Sequence, residues 1–277
     1  RWDYTFTGGG PREPMEELRN MRVGIIGTGA TAVQAVPRLA ETAKELYVFQ
    51  RTPSAVGVRN NGPVDPAWFD TLEPGWHDER VRNFTHAVTG VQPEKDLVSD
   101  GWTKVMWVNA QEPTEDPEKI EELEREDFEM MQDMRDRIDE IVNDPVTADR
   151  LKPWYGKHCK RICFHDEYLQ TYNRPNVHLV DTDGKGIDQF TEKGLIANGK
   201  EYELDCIIFA TGFEVGTSYT RRSGYDVVGR NGQKLSDKWE NGLRTVHGLQ
   251  TEGFPNAFFM GFTQGAVTVN VPQTLNE

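Results

Sequence analysis

The most regular part of the hydrophobic pattern lies near the amino terminus. Val23-Gly24-Ile25-Ile26 is a short, continuous apolar run, as expected of a strand buried on both faces of a parallel sheet. Ala30 to Ala43 is rich in alanine and carries Val33, Val36 and Leu39 at helical spacing. Leu46-Tyr47-Val48-Phe49 reads as a second strand, so this stretch predicts a β-α-β unit. A second clear period spans 118–142, where Ile120, Leu123, Phe128, Met131, Met134, Ile138 and Val142 fall on one helical stripe. Pro117 sits in the first turn, and Asn143-Asp144-Pro145 stops the helix. After Pro153 come short strands at Val177–Val180, Gly194–Ile196 and Leu204–Ala210. The last of these reads as a buried parallel strand from its continuous apolar run, and it ends in Thr211-Gly212-Phe213. A further apolar run covers Ala257–Phe262. Residues 5–20 read as a Gly/Pro-rich loop, and 53–113 show no clear period. The expected fold class is α/β, a Rossmann-like β-α-β pattern with a long helix before its later strands.

Charge narrows the partners. The 277 residues carry a net charge of −14, a poor basis for binding nucleic acid or an anionic membrane. Much of it is local: residues 115–144 hold 14 acidic and four basic side chains, read as a solvated helix face. Three cysteines make no disulfide framework, and Cys159-x₃-Cys163 is not a zinc pair, so reduced thiols, no metal and a cytoplasmic location are expected. No run of 18 apolar residues suggests a membrane span, and the first residues hold no signal-peptide core.

The chemistry begins at Gly27-Thr28-Gly29-Ala30-Thr31-Ala32, a dinucleotide fingerprint in its final-Ala form. Gly27 permits the tight turn out of the strand. Gly29 lets backbone N–H groups of Thr28 and Ala30 approach a pyrophosphate. Ala32 is small enough for the helix to pack on the strand. The strand before, the helix after and the second strand supply the context that a lone glycine motif lacks. At the end of the second strand an NAD site needs a carboxylate for the ribose 2′-hydroxyl. This chain has Gln50-Arg51-Thr52-Pro53 instead, and a guanidinium there suits a 2′-phosphate. NADP(H) is therefore favoured over NAD(H).

Other chemistries are missing. No tyrosine is followed four residues later by lysine, and there is no G-x-S-x-G elbow and no HExxH. His158 and His165 are not spaced as ligands on one helical face. The segment Lys157-His158-Cys159-Lys160-Arg161 is basic within an acidic chain. It is either an exposed basic turn or a place where an anion relieves adjacent cations, and a fixed charge beside a developing anion is electrostatic stabilisation.

Val23–Ala30, then Tyr47-Val-Phe-Gln-Arg-Thr-Pro53, then Phe209-Ala-Thr-Gly-Phe213 resemble flavoprotein monooxygenases of the Baeyer–Villiger type. Arg1-Trp2-Asp3 is similar to the tail of that family's signature segment. Gly75-Trp76 and Arg82-Asn83-Phe84-Thr85 look most like the branch acting on large-ring or steroid-like ketones. The resemblance implies a flavin (FAD) domain with an NADP domain inserted in it, and a helical subdomain inserted in that. It implies that NADPH reduces FAD, that a C4a-peroxyflavin forms with O₂, and that a ketone becomes an ester or lactone. By position, Arg51 and Lys160 would hold the 2′-phosphate with Thr52 beside them. Thr211 and Gly212 would lie on the cofactor, and Arg161 would be the active-site arginine.

The implied boundaries are a linker at the flavin-domain edge (1–20), NADP domain (21–60 and 153–212), helical insertion (61–152) and an incomplete C-terminal flavin-domain segment (213–277). Only one glycine loop of the required form is present, and it matches the NADP loop. The expectation is thus an internal fragment whose missing flavin-domain segments lie on the same longer chain, inactive and without bound FAD on its own. The implied partners are a small ketone and O₂. Two other readings stay open: a stand-alone NADP(H)-binding module, and an N-hydroxylating or sulfur-oxidising flavin monooxygenase.

Overall fold

In a computed structural model, residues 2–10, 13–89, 93–107, 114–157, 159–213 and 218–259 are described. His158, the 260–262 part of the last apolar run and the rest of the C-terminal segment lie outside them. The chain forms two compact units, residues 1–63 with 113–212, and residues 64–112 with 213–277.

The first unit opens with helix α1 (Tyr4–Thr7), where a loop is expected from sequence. Asp3 caps it by accepting from the N–H groups of Thr5 and Phe6, and the Trp2 indole donates to Thr7 Oγ1 at 3.1 Å. A 3₁₀ turn (Glu16–Asn20) leads into β1 (Arg22–Ile26), α2 (Ala30–Thr42) and β2 (Glu45–Gln50). The β-α-β unit thus stands where the pattern placed it. A short strand β3 (Val56–Gly57) follows.

The chain then enters the second unit through α3 (Pro66–Phe69), α4 (Trp76–Thr89) and α5 (Gly101–Trp107). It returns with the long α6 (Pro117–Ile141) and α7 (Pro145–Leu151), each started by an aspartate cap and a first-turn proline. Then come β4 (Cys163–Phe164), α8 (Tyr168–Thr171), β5 (Val177–Asp181), β6 (Gln189–Thr191), β7 (Gly194–Ala197), β8 (Lys200–Glu203) and β9 (Cys206–Phe209). The second unit ends in α9 (Tyr219–Ser223), a 3₁₀ turn (Arg230–Gly232) and α10 (Leu235–Lys238). There Leu235, Phe254 and Phe259 form a small core.

The main sheet is parallel in the order β5-β2-β1-β9. Its core joins Val23, Ile25, Leu46 and Val48 of the strands to Val33, Val36 and Leu39 of α2, with Ile138 and Leu151 added from α6 and α7. The link from β5 to β9 is an antiparallel β6-β7-β8 sheet rather than a helix. Leu195 and Ala197 of β7 close over Phe49, Val180 and Leu204. On α6 the expected stripe is covered only in its second half. Met131, Met134 and Ile138 are buried, whereas Ile120 and Phe128 are exposed. Phe128 instead carries the Arg135 guanidinium at 5.4 Å from its ring.

Candidate functional site: a dinucleotide cradle with a cation pair

Strand order fixes where a ligand can sit. From β1 the chain winds to β2 and β5 on one side, then crosses to β9 on the other. Such a reversal leaves a crevice beyond the carboxyl ends of β1 and β9. Gly27–Gly29 leaves β1 there and Ala210–Gly212 leaves β9.

Gly27 has φ +108, and a Cβ on it would lie 2.5 Å from the Ala210 carbonyl oxygen. Only glycine lets the two strand ends approach this closely. Its N–H donates to the Phe49 carbonyl at 3.0 Å. Gly29 differs: a Cβ there would meet nothing within 4 Å. It is the N-cap of α2, with no side-chain cap and no acidic residue in the first turn. Ala30 is half-buried and Ala32 fully buried against the strand, and a helix N-terminus without a side-chain cap is of the kind that suits an anion. Thr211 and Gly212 follow β9 as exposed backbone on the opposite lip.

Thr28 is buried, and its hydroxyl donates to the Thr52 carbonyl at 2.7 Å. Ser54 Oγ returns a bond to the Thr28 carbonyl at 2.6 Å. The glycine loop is thereby stapled to the loop that carries Arg51. Sequence reasoning missed Ser54, although it stands directly after the Arg51-Thr52-Pro53 motif.

A parallel pairing of β3 with β4 brings that loop to residues more than 100 positions later. Cys163 N–H donates to the Ala55 carbonyl at 2.9 Å, and His165 N–H to that of Gly57 at 3.0 Å. Beyond the pair, Asp166 accepts from the N–H groups of Arg59, Asn60 and Asn61 at 2.9–3.0 Å. Burial opposes its ionisation, but those three donors and Arg137 hold its carboxyl below the usual aspartate value.

The pairing assembles the predicted cations. Lys160 stands close enough to Arg51 for the two charges to repel. Partial burial and that repulsion lower the Lys160 pKa. An anion between them would remove the repulsion. Tyr155, also missed from sequence, joins the two loops. Its hydroxyl donates to the Pro53 carbonyl at 2.9 Å and accepts from Ala55 N–H at 3.0 Å. Its ring lies 5.5 Å from Lys160 Nζ. No local pattern could reveal it, since both backbone partners are about 100 residues away. Arg161 follows, exposed, and its charge is felt at the Cys163 thiol, which burial pushes up against it.

Lys157 plays a different part from its neighbours. It is buried, its N–H donates to Asp127 at 2.9 Å, and burial lowers its pKa against the pull of Asp127 and Glu126. It belongs to the support. Among the described residues no cluster of His, Cys, Asp and Glu could hold a metal ion, and no helix is long and apolar enough to cross a membrane.

Comparison with known proteins gives the site its context. No family model matches the chain. Neopentalenolactone D synthase of Streptomyces avermitilis is 52% identical over 285 residues, covering 100% of this chain and 48% of that protein. Baeyer-Villiger monooxygenase 4 of a Dietzia species is 47% identical, covering 98% and 45% respectively. Among solved structures, a polycyclic ketone monooxygenase from the fungus Thermothelomyces thermophila superposes with a TM-score of 0.89 at 45% identity, over 100% of this chain and 47% of that one. OTEMO, solved in complex with FAD and NADP, superposes at 0.69 and 32% identity, over 94% and 50%. The chain resembles Baeyer–Villiger monooxygenases from end to end, and it spans about half the length of the curated relatives it matches.

Proposed function

We propose that this chain is the NADP(H)-handling part of a flavin-dependent Baeyer–Villiger monooxygenase that inserts one oxygen atom of O₂ into a ketone, giving an ester or lactone. The observation that carries the reading is the joint geometry at the ends of β1 and β9: an uncapped helix N-terminus over an open glycine, flanked by Arg51 and Lys160. The glycine loop takes the pyrophosphate on backbone N–H groups. Arg51 and Lys160 take the 2′-phosphate, with Thr52 between them and the loop. Thr211 and Gly212 line the far lip. Arg161 is a fixed cation available to negative charge developing on oxygen.

FAD is a cofactor of the OTEMO structure. Bound flavin would supply the oxygen chemistry of the proposed enzyme. Among the described residues one strand–glycine loop–helix unit is present, and its shape and cations suit NADP(H). These residues do not make a second cradle for FAD. A cytoplasmic location and the domain boundaries drawn from the sequence form part of the same proposal, and the three unpaired cysteines fit that location.

The one cradle also favours a second reading, an NADP(H)-binding module without its own chemistry. The test is the whole protein with NADPH, ¹⁸O₂ and a panel of mono- and polycyclic ketones, amines and sulfides, read by mass spectrometry. A labelled ester or lactone supports the first reading. NADPH binding with no consumption supports the second, and labelled amine or sulfide oxides with no ester point to the N- or S-oxidising relatives instead.

A further inference from the structure

Between Arg51 and the start of β3, the chain is held by side-chain hydrogen bonds of two kinds. Thr28 and Ser54 tie it to the glycine loop. Tyr155 ties it to the segment carrying Lys160, gripping Pro53 O and Ala55 N with one hydroxyl. The backbone adds one tie, Cys163 N–H to the Ala55 carbonyl, where the β3–β4 register starts at Val56 and Cys163, beyond both cations.

Tyr155 itself stands on a rigid mount. Arg135 is buried, donates to the Pro153 carbonyl at 3.0 Å and stacks 4.6 Å from the Trp154 ring. Two residues past Tyr155, Lys157 N–H is fixed by Asp127. The five-residue strap 153–157 is thus bolted to α6 at both ends. From it the tyrosine ring reaches beneath the Lys160 ammonium and holds it by a cation–π contact. Burial pushes the phenol up to about 12, so it remains a donor to Pro53 throughout the neutral range.

We propose that Tyr155 is a positioning residue for nucleotide selectivity: it sets the separation of Arg51 and Lys160, and so the preference for a 2′-phosphate over a 2′-hydroxyl. The proposal rests on the reading that these two cations hold that phosphate. Charge-assisted contacts require donor–acceptor distances of ~2.7–2.9 Å, so a shift of about 1 Å in either loop forfeits one of the two. The pyrophosphate cradle keeps its own bonds, Thr28 to the Thr52 carbonyl and Ser54 to the Thr28 carbonyl, so Tyr155, which grips Pro53 and Ala55 on either side of Ser54, reaches the glycine loop only through that staple. Loss of the Tyr155 hydroxyl should therefore weaken the 2′-phosphate contact more than the rest of the nucleotide.

The experiment measures binding of 2′,5′-ADP and 5′-AMP to the whole protein by calorimetry, for wild type, Tyr155→Phe and Tyr155→Leu, with thermal melting alongside. Wild type prefers 2′,5′-ADP. Tyr155→Phe keeps the ring and loses the hydroxyl, and cuts the preference roughly tenfold, the loss of about one hydrogen bond, with 5′-AMP affinity within about twofold of wild type. Tyr155→Leu, which also removes the ring, cuts it further. An unchanged preference in Tyr155→Phe overturns the proposal, as does equal weakening of both nucleotides, the mark of a merely structural role. If wild type itself shows no preference, the 2′-phosphate reading fails first and the proposal with it. Should Tyr155→Phe not melt cooperatively, Tyr155→Trp is measured in its place against the same expectation.

Discussion

Gly27 and Gly29 stand two residues apart in one loop, and the structure assigns them opposite sensitivities. An alanine at position 27 must hold φ near +108, and its Cβ would press to 2.5 Å from one backbone atom of Ala210 and 3.0 Å from another. Left-handed strain costs about 1–2 kcal/mol and overpacking against backbone about 1–3, together about 2–5 kcal/mol. At roughly 2–4 °C per kcal/mol for a chain of this size, melting should fall by ~5–20 °C. At position 29 the backbone is extended, with φ −74 and ψ −169, and a Cβ meets nothing within 4 Å. Exchanging an N-cap glycine for alanine should cost about 1 kcal/mol or less in stability. The added methyl, however, fills the space over the first turn of α2, where the pyrophosphate would meet the N–H groups. Losing one charge-assisted hydrogen bond of about 1.5–3 kcal/mol weakens NADPH roughly 10- to 150-fold. Thermal melting and fluorescence titration with NADPH on both variants decide the matter. A Gly29→Ala protein that melts like wild type and binds NADPH equally well would refute the cradle.

The remaining predictions concern the cations and their support. Arg51→Ala should raise KM for NADPH far more than for NADH, by about 1.5–3 kcal/mol in apparent binding, and equal effects on both would remove the 2′-phosphate assignment. Arg161→Ala in the whole protein should bind NADPH as wild type does while ester formation collapses; near-wild-type ester yield would end the assigned role. For Asp166, the carboxyl is held below its ordinary value in the folded state. Its contribution to stability is complete above the ordinary aspartate value near 3.9 and is lost as pH falls through the lowered folded value. Asp166→Asn should therefore cost stability at pH 7, about 0.5–1 kcal/mol for a carboxylate that solvent partly screens, and much less at pH 2–3, which paired denaturant titrations at the two pH values would show.

What the sequence disclosed and what it concealed divide along contact range. β1, α2 and β2 were legible because each is specified by its own residues: an apolar run, an alanine-rich 3.6 period, a second run. α6 was legible for the same reason, with Pro117 at its start and Asn143-Asp144-Pro145 at its end. Within 53–113, α3, α4 and α5 were not, because the stretch is rich in Pro, Trp and charge, with no apolar stripe to set a period. α1 was hidden in a Gly/Pro-rich segment, though Asp3 is an ordinary N-cap. On the site, the glycine loop and Arg51 could be read directly, since a β-α-β unit places them by local geometry. Lys160 and Arg161 became candidates through resemblance and through their charge. The closeness of Lys160 to Arg51 rests on a two-residue strand pair between positions 56–57 and 163–164, which no local pattern encodes.

The same distinction explains how so acidic a chain can offer an anion site. Net charge acts over distances that salt screens, about 8–10 Å at physiological ionic strength, and it argues against polyanions that must lie along a surface. A dinucleotide is read at closer range. Its pyrophosphate would meet backbone N–H groups, whose partial charges do not appear in the residue count. Its 2′-phosphate would meet two cations that already repel each other in the absence of an anion. The acidic residues of α6 are not merely solvent dressing beside this. Asp127 holds the Lys157 backbone, and Asp139 pairs with Lys152 at 2.9 Å, so part of the negative helix steadies the strap from which Tyr155 reaches Lys160. The carboxylates that make the chain acidic thus fasten the positive site in place, and weakening the Asp127 contact should loosen Lys160 before it disturbs the glycine loop.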